Sequence, residues 1–224
     1  MNDVTEKWRS ERVTAALYDA GVQHASVARA GAWAMWGADL RRMFTDIDRL
    51  ADLPAGASVL DIPCGGGLAF RGLRTGQVVR YVAADISPYM LQRGRREAGR
   101  RGVQDAIEFV EADVTALQFA DASFDLCLTY NGLHCLPDPR AALAELVRVL
   151  RPGGTLRGTS CVTGRGPRKD VLIAMSRRAG VFGNPPHTGQ IEKWLKELGL
   201  DVTLERTGAI EFFEARLPPR NEAD

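Results

Sequence analysis

Residues 59–67 read Val59-Leu60-Asp61-Ile62-Pro63-Cys64-Gly65-Gly66-Gly67, a β-rich run that passes into three consecutive glycines and then the helix-compatible LAFRGL of residues 68–73. Glycines after a strand let the backbone approach a ligand closely, and amides at the start of a following helix face what binds there. The same residues also make an ordinary tight turn, so the surrounding pattern has to decide. A dinucleotide fingerprint wants a third glycine three positions after the second, and after Gly65 and Gly67 that position is Phe70. No Lys-Ser or Lys-Thr follows the glycines, which removes a Walker loop.

Outward from the loop, from about residue 57, short apolar runs alternate with helical stretches, the pattern of βαβ units around a parallel sheet. The expected strands are Ser58–Ile62, Val79–Ala84, Ile107–Glu111, Phe124–Tyr130 and Thr155–Cys161. Several carry apolar residues back to back, as strands buried on both faces do. Pro88–Arg101 and Pro139–Leu150 are predicted helices. In the second, Asp138 caps, Pro139 takes the first helical position, and Pro152-Gly153-Gly154 stops the run. A later helix carries Ile191, Trp194, Leu195 and Leu198 and ends at Gly199. Val202–Arg206 and Ala209–Ala215 then lie close enough for an antiparallel hairpin at a sheet edge.

Two regions stand outside this alternation. Residues 1 to about 53 are expected to be helical, with Leu40, Met43, Phe44, Ile47 and Leu50 as one apolar stripe that ends at Pro54 and Gly56. Residues 163–187 carry Gly164, Gly166, Pro167, Gly183, Pro185 and Pro186 around one short helical stretch, which suits a mobile cover.

Asp85 ends the second strand and lies beside the glycine loop at the carboxyl edge of the sheet, where a carboxylate accepts both hydroxyls of a ribose. Asp113 ends the third strand and can accept from an adenine amino group. Either aspartate alone also suits a helix cap. Asp61, Asp85 and Asp113 together on one edge are harder to explain by capping.

Residues Ser58 to Gly158 resemble a class I S-adenosylmethionine-dependent methyltransferase, closest to the small-molecule group (methyltransferase type 11) that includes the quinone C-methyltransferases. The matching motifs are VLDIPCGGG, AADISPYML, EADVTALQFADASFD, YNGLHCLPDP and LRPGG. The resemblance implies an α/β fold with a Rossmann-like, seven-stranded, mostly parallel sheet, a C-terminal antiparallel hairpin and an N-terminal helical lid. It divides the chain into a lid over residues 1–56 and a cofactor-binding domain over 57–224 with the 163–187 cover inserted. It implies S-adenosyl-L-methionine as cofactor and S-adenosyl-L-homocysteine as product. By the same resemblance, Asp61 and the amides of Gly65, Gly66 and Gly67 surround the methionine part, Asp85 holds the ribose, Ile86 packs on adenine, and Asp113 with the Val114 amide reads the adenine edge. Pro63 departs from the family's usual glycine. Proline fixes φ and removes a donor, so the loop is expected to be stiffer there.

Thr129-Tyr130-Asn131-Gly132-Leu133-His134 is expected at the methyl end of the cofactor. His134 is the base candidate on titration grounds, with Tyr130 beside it. A histidine here can equally hold the loop, and Tyr130 and Asn131 can serve as strand-end residues whose carbonyls meet the cofactor. Tyr18, Trp33 and Trp36 are candidates for an apolar acceptor pocket, with ordinary packing as the alternative, and His187 is placed to face the site from the cover.

The 224 residues carry 29 Lys and Arg against 28 Asp and Glu, and 45% are hydrophobic, the usage of a packed globular chain with no general basic excess for nucleic acid. A local patch remains open. The Arg93, Arg95, Arg96, Arg100 and Arg101 cluster reads as a solvated helix face. Four scattered cysteines without a CxxC pair argue against a disulfide scaffold or a metal site. The polar start lacks the apolar core of a secretory signal, and no run reaches membrane-spanning length, so a cytoplasmic location is expected. The expected activity is methyl transfer to a small, hydrophobic or aromatic acceptor at oxygen, nitrogen or carbon. A nicotinamide-dependent oxidoreductase and a non-catalytic S-adenosylmethionine-binding protein are the competitors.

Overall fold

The computed structural model describes residues 4–10 and 25–219. Seven strands form one sheet: β1 (Ser58–Asp61), β2 (Arg80–Asp85), β3 (Ile107–Glu111), β4 (Phe124–Tyr130), β5 (Leu150–Cys161), β6 (Asp201–Thr207) and β7 (Ile210–Arg216), in the order β3-β2-β1-β4-β5-β7-β6. The first five pair in parallel, while β7 runs antiparallel to both β5 and β6. The α/β class, the seven strands and the C-terminal hairpin agree with expectation. The chain leaves β1 toward β2 on one side and returns from β3 to β4 on the other. That reversal opens a crevice beyond the carboxyl ends of β1 and β4.

The helices are α1 (Val4–Ser10), α2 (Ala25–Trp36), α3 (Arg41–Asp48), α4 (Pro88–Arg101), α5 (Pro139–Val149), α6 (Pro167–Arg178) and α7 (Gln190–Glu197). Sequence chemistry sets their ends. Ser87 caps α4 by accepting from the Met90 amide, Asp138 caps α5 by accepting from the Ala141 amide, and both helices begin with proline. The stripe Met43, Phe44 and Ile47 of α3 is buried against Val59, Tyr81 and Leu128 on one sheet face, where α4 adds Leu91 and Ala98. On the other face Leu60, Val82 and Cys127 pack against Leu143 and Leu146 of α5 and Ile191 and Leu195 of α7.

Three local readings change. LAFRGL forms only a 3-10 turn, Leu68–Gly72, because Gly72 lies so close to the Ile47 carbonyl that a Cβ there would sit 1.9 Å from its oxygen. The fifth strand begins at Leu150 rather than Thr155. Pro152-Gly153-Gly154 does not separate helix from strand; it is drawn into the sheet edge, where Gly153 N–H donates to the Leu217 carbonyl and Leu217 N–H to that of Gly154. The helical stretch inside 163–187 is the 12-residue α6, which packs on α2 through buried Ile173.

Candidate functional site

The crevice at the ends of β1 and β4 is a cleft with a free interior volume of about 140 Å³. Its floor is the glycine loop. After a cis Ile62–Pro63 peptide, Cys64 N–H donates to the Ala84 carbonyl, Gly65 turns at φ +51°, and Gly67 turns at φ +89°. Gly65 and Gly66 line the cleft, and a Cβ on Gly65 would meet nothing within 4 Å. Gly67 does not line it. The space of its missing Cβ is filled by the Phe70 ring, so this glycine closes the turn instead.

Asp85 binds the loop directly. Its Oδ2 accepts from Gly65 N–H and its Oδ1 from Ser87 N–H, each at 2.9 Å. These bonds orient the carboxylate. Asp113 is held likewise, its Oδ1 accepting from the Thr115 amide at 2.9 Å and hydroxyl at 2.7 Å. Between the two carboxylates the wall is apolar, with Ile86, Met90 and Val114.

Asp61 is corrected. It is buried behind the loop, does not line the cleft, and accepts from the Tyr81 hydroxyl at 2.8 Å. Burial pushes its carboxyl up to about 7, opposed by the Tyr81 hydrogen bond and reinforced by the charge of Asp85.

On the β4 side, Asn131 lines the cleft in a left-handed conformation, φ +56°. Thr159 holds it there, taking the Asn131 N–H on its carbonyl at 3.0 Å and donating its hydroxyl to Asn131 Oδ1 at 3.0 Å. Next to it, a Cβ on Gly132 would come 2.4 Å from Pro63 Cδ. The β1 and β4 loops therefore interlock at Pro63, the position that departs from the family pattern.

Neither base candidate is placed for proton transfer. His134 is 1% exposed, lies outside the cleft lining, and takes the Cys161 N–H on Nδ1 at 3.2 Å. Burial pulls its ring down to about 3, so it is a neutral acceptor that anchors the loop, with Phe182 packed edge-on at 4.4 Å. The Tyr130 ring reaches the cleft. Its hydroxyl is buried without a hydrogen-bond partner, and burial holds it well above the ordinary phenol range.

The pocket candidates are corrected as well. Trp33 is 74% exposed, and Trp36 stacks on Phe182 at 5.9 Å, neither lining the cleft. His187 is exposed, its ring lying over Gly164. Tyr18 falls outside the described residues. No residue of 163–187 lines the cleft; α1 does, through Thr5 and Trp8. The expected cover instead holds α1, with Trp8 Nε1–H donating to the Val181 carbonyl at 3.1 Å and Lys7 Nζ to that of Ala179.

Sequence reasoning missed Thr5, Trp8, Met90, Thr115 and the run Cys135–Pro137. Met90 and Thr115 follow directly on the two carboxylate motifs and were within reach. Thr5 and Trp8 carry no local signal, because their place depends on a contact about 173 residues away in sequence.

The family described as "Methyltransferase domain" matches residues 60–157. A ubiquinone/menaquinone biosynthesis C-methyltransferase of Hahella chejuensis is 48% identical over 104 residues, covering 46% of this chain and 42% of that protein. A 27-O-demethylrifamycin SV methyltransferase of Amycolatopsis mediterranei is 36% identical over 130 residues, 56% of this chain and 48% of that protein. The crystal structure of a SAM dependent methyltransferase from Aquifex aeolicus superposes with a TM-score of 0.58 at 18% identity, covering 83% of this chain and 93% of that one. The chain spans about two fifths of the length of the first curated relatives it matches, 38% to 42%.

Proposed function

We infer that the chain is a class I S-adenosylmethionine-dependent methyltransferase, a reading that the methyltransferase-domain match over residues 60–157 supports, and that it transfers a methyl group to a small, apolar or aromatic acceptor. The observation that carries this reading is the cleft itself: an apolar crevice at the sheet's reversal point, with Asp85 and Asp113 at its two polar ends. The residues fit the cofactor. In this reading Asp85 takes the ribose diol, Ile86, Met90 and Val114 pack on the adenine, Asp113 reads its edge, and the open space at Gly65 takes the methionine chain, all of these residues lining the cleft.

When bound, S-adenosylmethionine supplies a methyl group on a sulfonium, transferred by in-line displacement to a nucleophilic atom of the acceptor. The protein's own part is alignment and exclusion of water. The carboxylates and the Asn131 turn are fixed by their hydrogen bonds before anything binds. The Pro63–Gly132 contact keeps the two loops in register, and Thr5 and Trp8 cover the mouth. With His134 sealed and the Tyr130 hydroxyl buried, neither removes a proton from the acceptor. An acceptor atom nucleophilic in its own right, such as an activated ring carbon or a phenolate, suits a cleft in which neither of these two groups takes a proton. The names of two curated relatives, which specify C-methylation in quinone biosynthesis and O-methylation of a rifamycin, support a small-molecule acceptor.

Calorimetry with S-adenosylhomocysteine and with NADH tests the cofactor, and labelled methyl transfer in cell extract tests the acceptor. Binding of S-adenosylhomocysteine and label in the solvent-extractable fraction are expected. Binding of NADH alone, or label only in protein or RNA, overturns the proposal.

A further inference from the structure

Among the described residues six large apolar side chains are exposed, and five sit on two helices: Val27, Trp33 and Met35 on α2, and Val171 and Met175 on α6. These helices adjoin. The Arg168 guanidinium of α6 reaches the Ala34 carbonyl of α2 at 3.4 Å, so their outer sides form one surface. On α6, Arg168, Val171, Met175 and Arg178 recur at i, i+3, i+7 and i+10, a single exposed face with an arginine at each end. The α2 sequence, ASVARAGAWAMW, has one charge and no acid. A helix apolar nearly all round is ordinarily enclosed on every side, yet Val27, Ala30, Trp33 and Ala34 are exposed.

The charge of this surface is as uneven as its polarity. Arg29, Arg165, Arg168, Lys169, Arg177 and Arg178 stand against Asp170 and against Asp39, which feels the charge of Arg29 but pairs with Arg41, on a chain whose net charge is +1. Asp170 is engaged by the Gly164 amide at 2.9 Å. Among the described residues none of the six cations meets a carboxylate within 4.0 Å. Many arginines elsewhere are paired, as Arg42 is with Glu205 and Arg148 with Asp121, both at 2.6 Å. An apolar centre ringed by uncompensated cations complements one kind of surface. In an anionic bilayer, apolar side chains sink below the phosphates while arginine and lysine stay among the headgroups.

We propose that the α2–α6 face is a docking surface for an anionic lipid bilayer. The inference rests on this surface and is independent of the methyl-transfer reading. The placement bears on the cleft, because α6 runs directly into Ala179 and Val181, the residues that hold α1, and α1 lines the cleft with Thr5 and Trp8. A molecule docked this way presents the cleft's cover to the phase in which an apolar acceptor dissolves.

The test is co-sedimentation of the whole chain with phosphatidylglycerol–phosphatidylcholine vesicles and with pure phosphatidylcholine vesicles, read together with tryptophan emission. Binding to the anionic vesicles alone, with a blue shift and loss at high salt, is the expected result. Trp33→Ser/Val171→Ser/Met175→Ser changes only exposed side chains and abolishes it, while circular dichroism and urea unfolding stay unchanged. Arg168→Gln/Arg178→Gln weakens it by roughly tenfold to thirtyfold. Failure to bind anionic vesicles overturns the proposal, as does binding that survives the triple substitution. Self-association that the triple substitution abolishes, without vesicle binding, assigns the face to a second copy instead.

Discussion

Two buried groups beside the cleft should make stability respond to pH in opposite senses, and removing either one exposes the other. His134 is held down to about 3 from 6.5 by burial. Its folded form stays neutral while the unfolded chain takes a proton, so stability is lost as pH falls from 6.5 toward 3. Asp61 is held up to about 7 from 3.8, by burial first and then by the charge of Asp85 against the Tyr81 hydrogen bond. Here the folded state takes the proton first, so stability is gained as pH falls from 7 toward 3.8. At pH 5 the linkage relation gives a loss of about 2 kcal/mol from His134 and a gain of about 3 kcal/mol from Asp61. In the parent chain the two nearly cancel. His134→Asn keeps an acceptor for the Cys161 amide but does not titrate, so its stability should rise by about 3 kcal/mol between pH 7.5 and pH 5 relative to its own neutral value. Asp61→Asn keeps an acceptor for the Tyr81 hydroxyl and should fall by about 2 kcal/mol over the same interval. Urea unfolding followed by tryptophan fluorescence at the two pH values measures both. A His134→Asn pH response identical to the parent's would mean that the ring takes a proton in the native state, and the sealed-acceptor reading would fail.

Two further substitutions probe the loops and the cover. Gly132→Ala places a methyl group against the Pro63 ring, where a Cβ would lie 2.4 Å from Cδ. It should cost about 1–3 kcal/mol of stability and weaken S-adenosylhomocysteine binding in calorimetry; unchanged affinity would show that the interlock does not shape the cleft. Trp8→Phe removes the bond to the Val181 carbonyl and should loosen α1 by about 1 kcal/mol. Hydrogen exchange in α1 would then quicken roughly fivefold while the urea midpoint stays put.

The sheet was legible because its signal is redundant. Each strand from β1 to β4 is announced by several apolar residues and bounded by glycine, proline or aspartate, so one misread position does not change the element. Single side chains carry no such redundancy. Whether Tyr130 faces the cleft or the core is fixed by strand parity, and it lies in phase with Leu126 and Leu128, both buried under the α3 face. That alternation was readable in Phe124–Tyr130. His134 stands in Leu133-His134-Cys135-Leu136, an apolar run with no acid to raise its basicity, which fits a satisfied core histidine better than a base. Trp33, Trp36 and His187 were not decidable from the sequence. Their surroundings come from residues far along the chain, Phe182 against Trp36 and Gly164 against His187, and no local period encodes such pairs.

The cleft is built from two kinds of part that differ in how firmly they are held. Asp85 is fixed by the Gly65 and Ser87 amides, Asp113 by Thr115 and Asn131 by Thr159, all at or just beyond the carboxyl ends of β2, β3 and β4. Each of them ends or closely follows a paired strand of the sheet. Helix α1 has seven residues, and its contacts to Ala179 and Val181 are side chain to backbone, outside any ladder. An isolated helix of that length has no stability of its own, so α1 is the low-stability element of the site. Hydrogen exchange is therefore expected to open α1 before the glycine loop and its carboxylates, and exchange as slow in α1 as in β1 would refute this ordering.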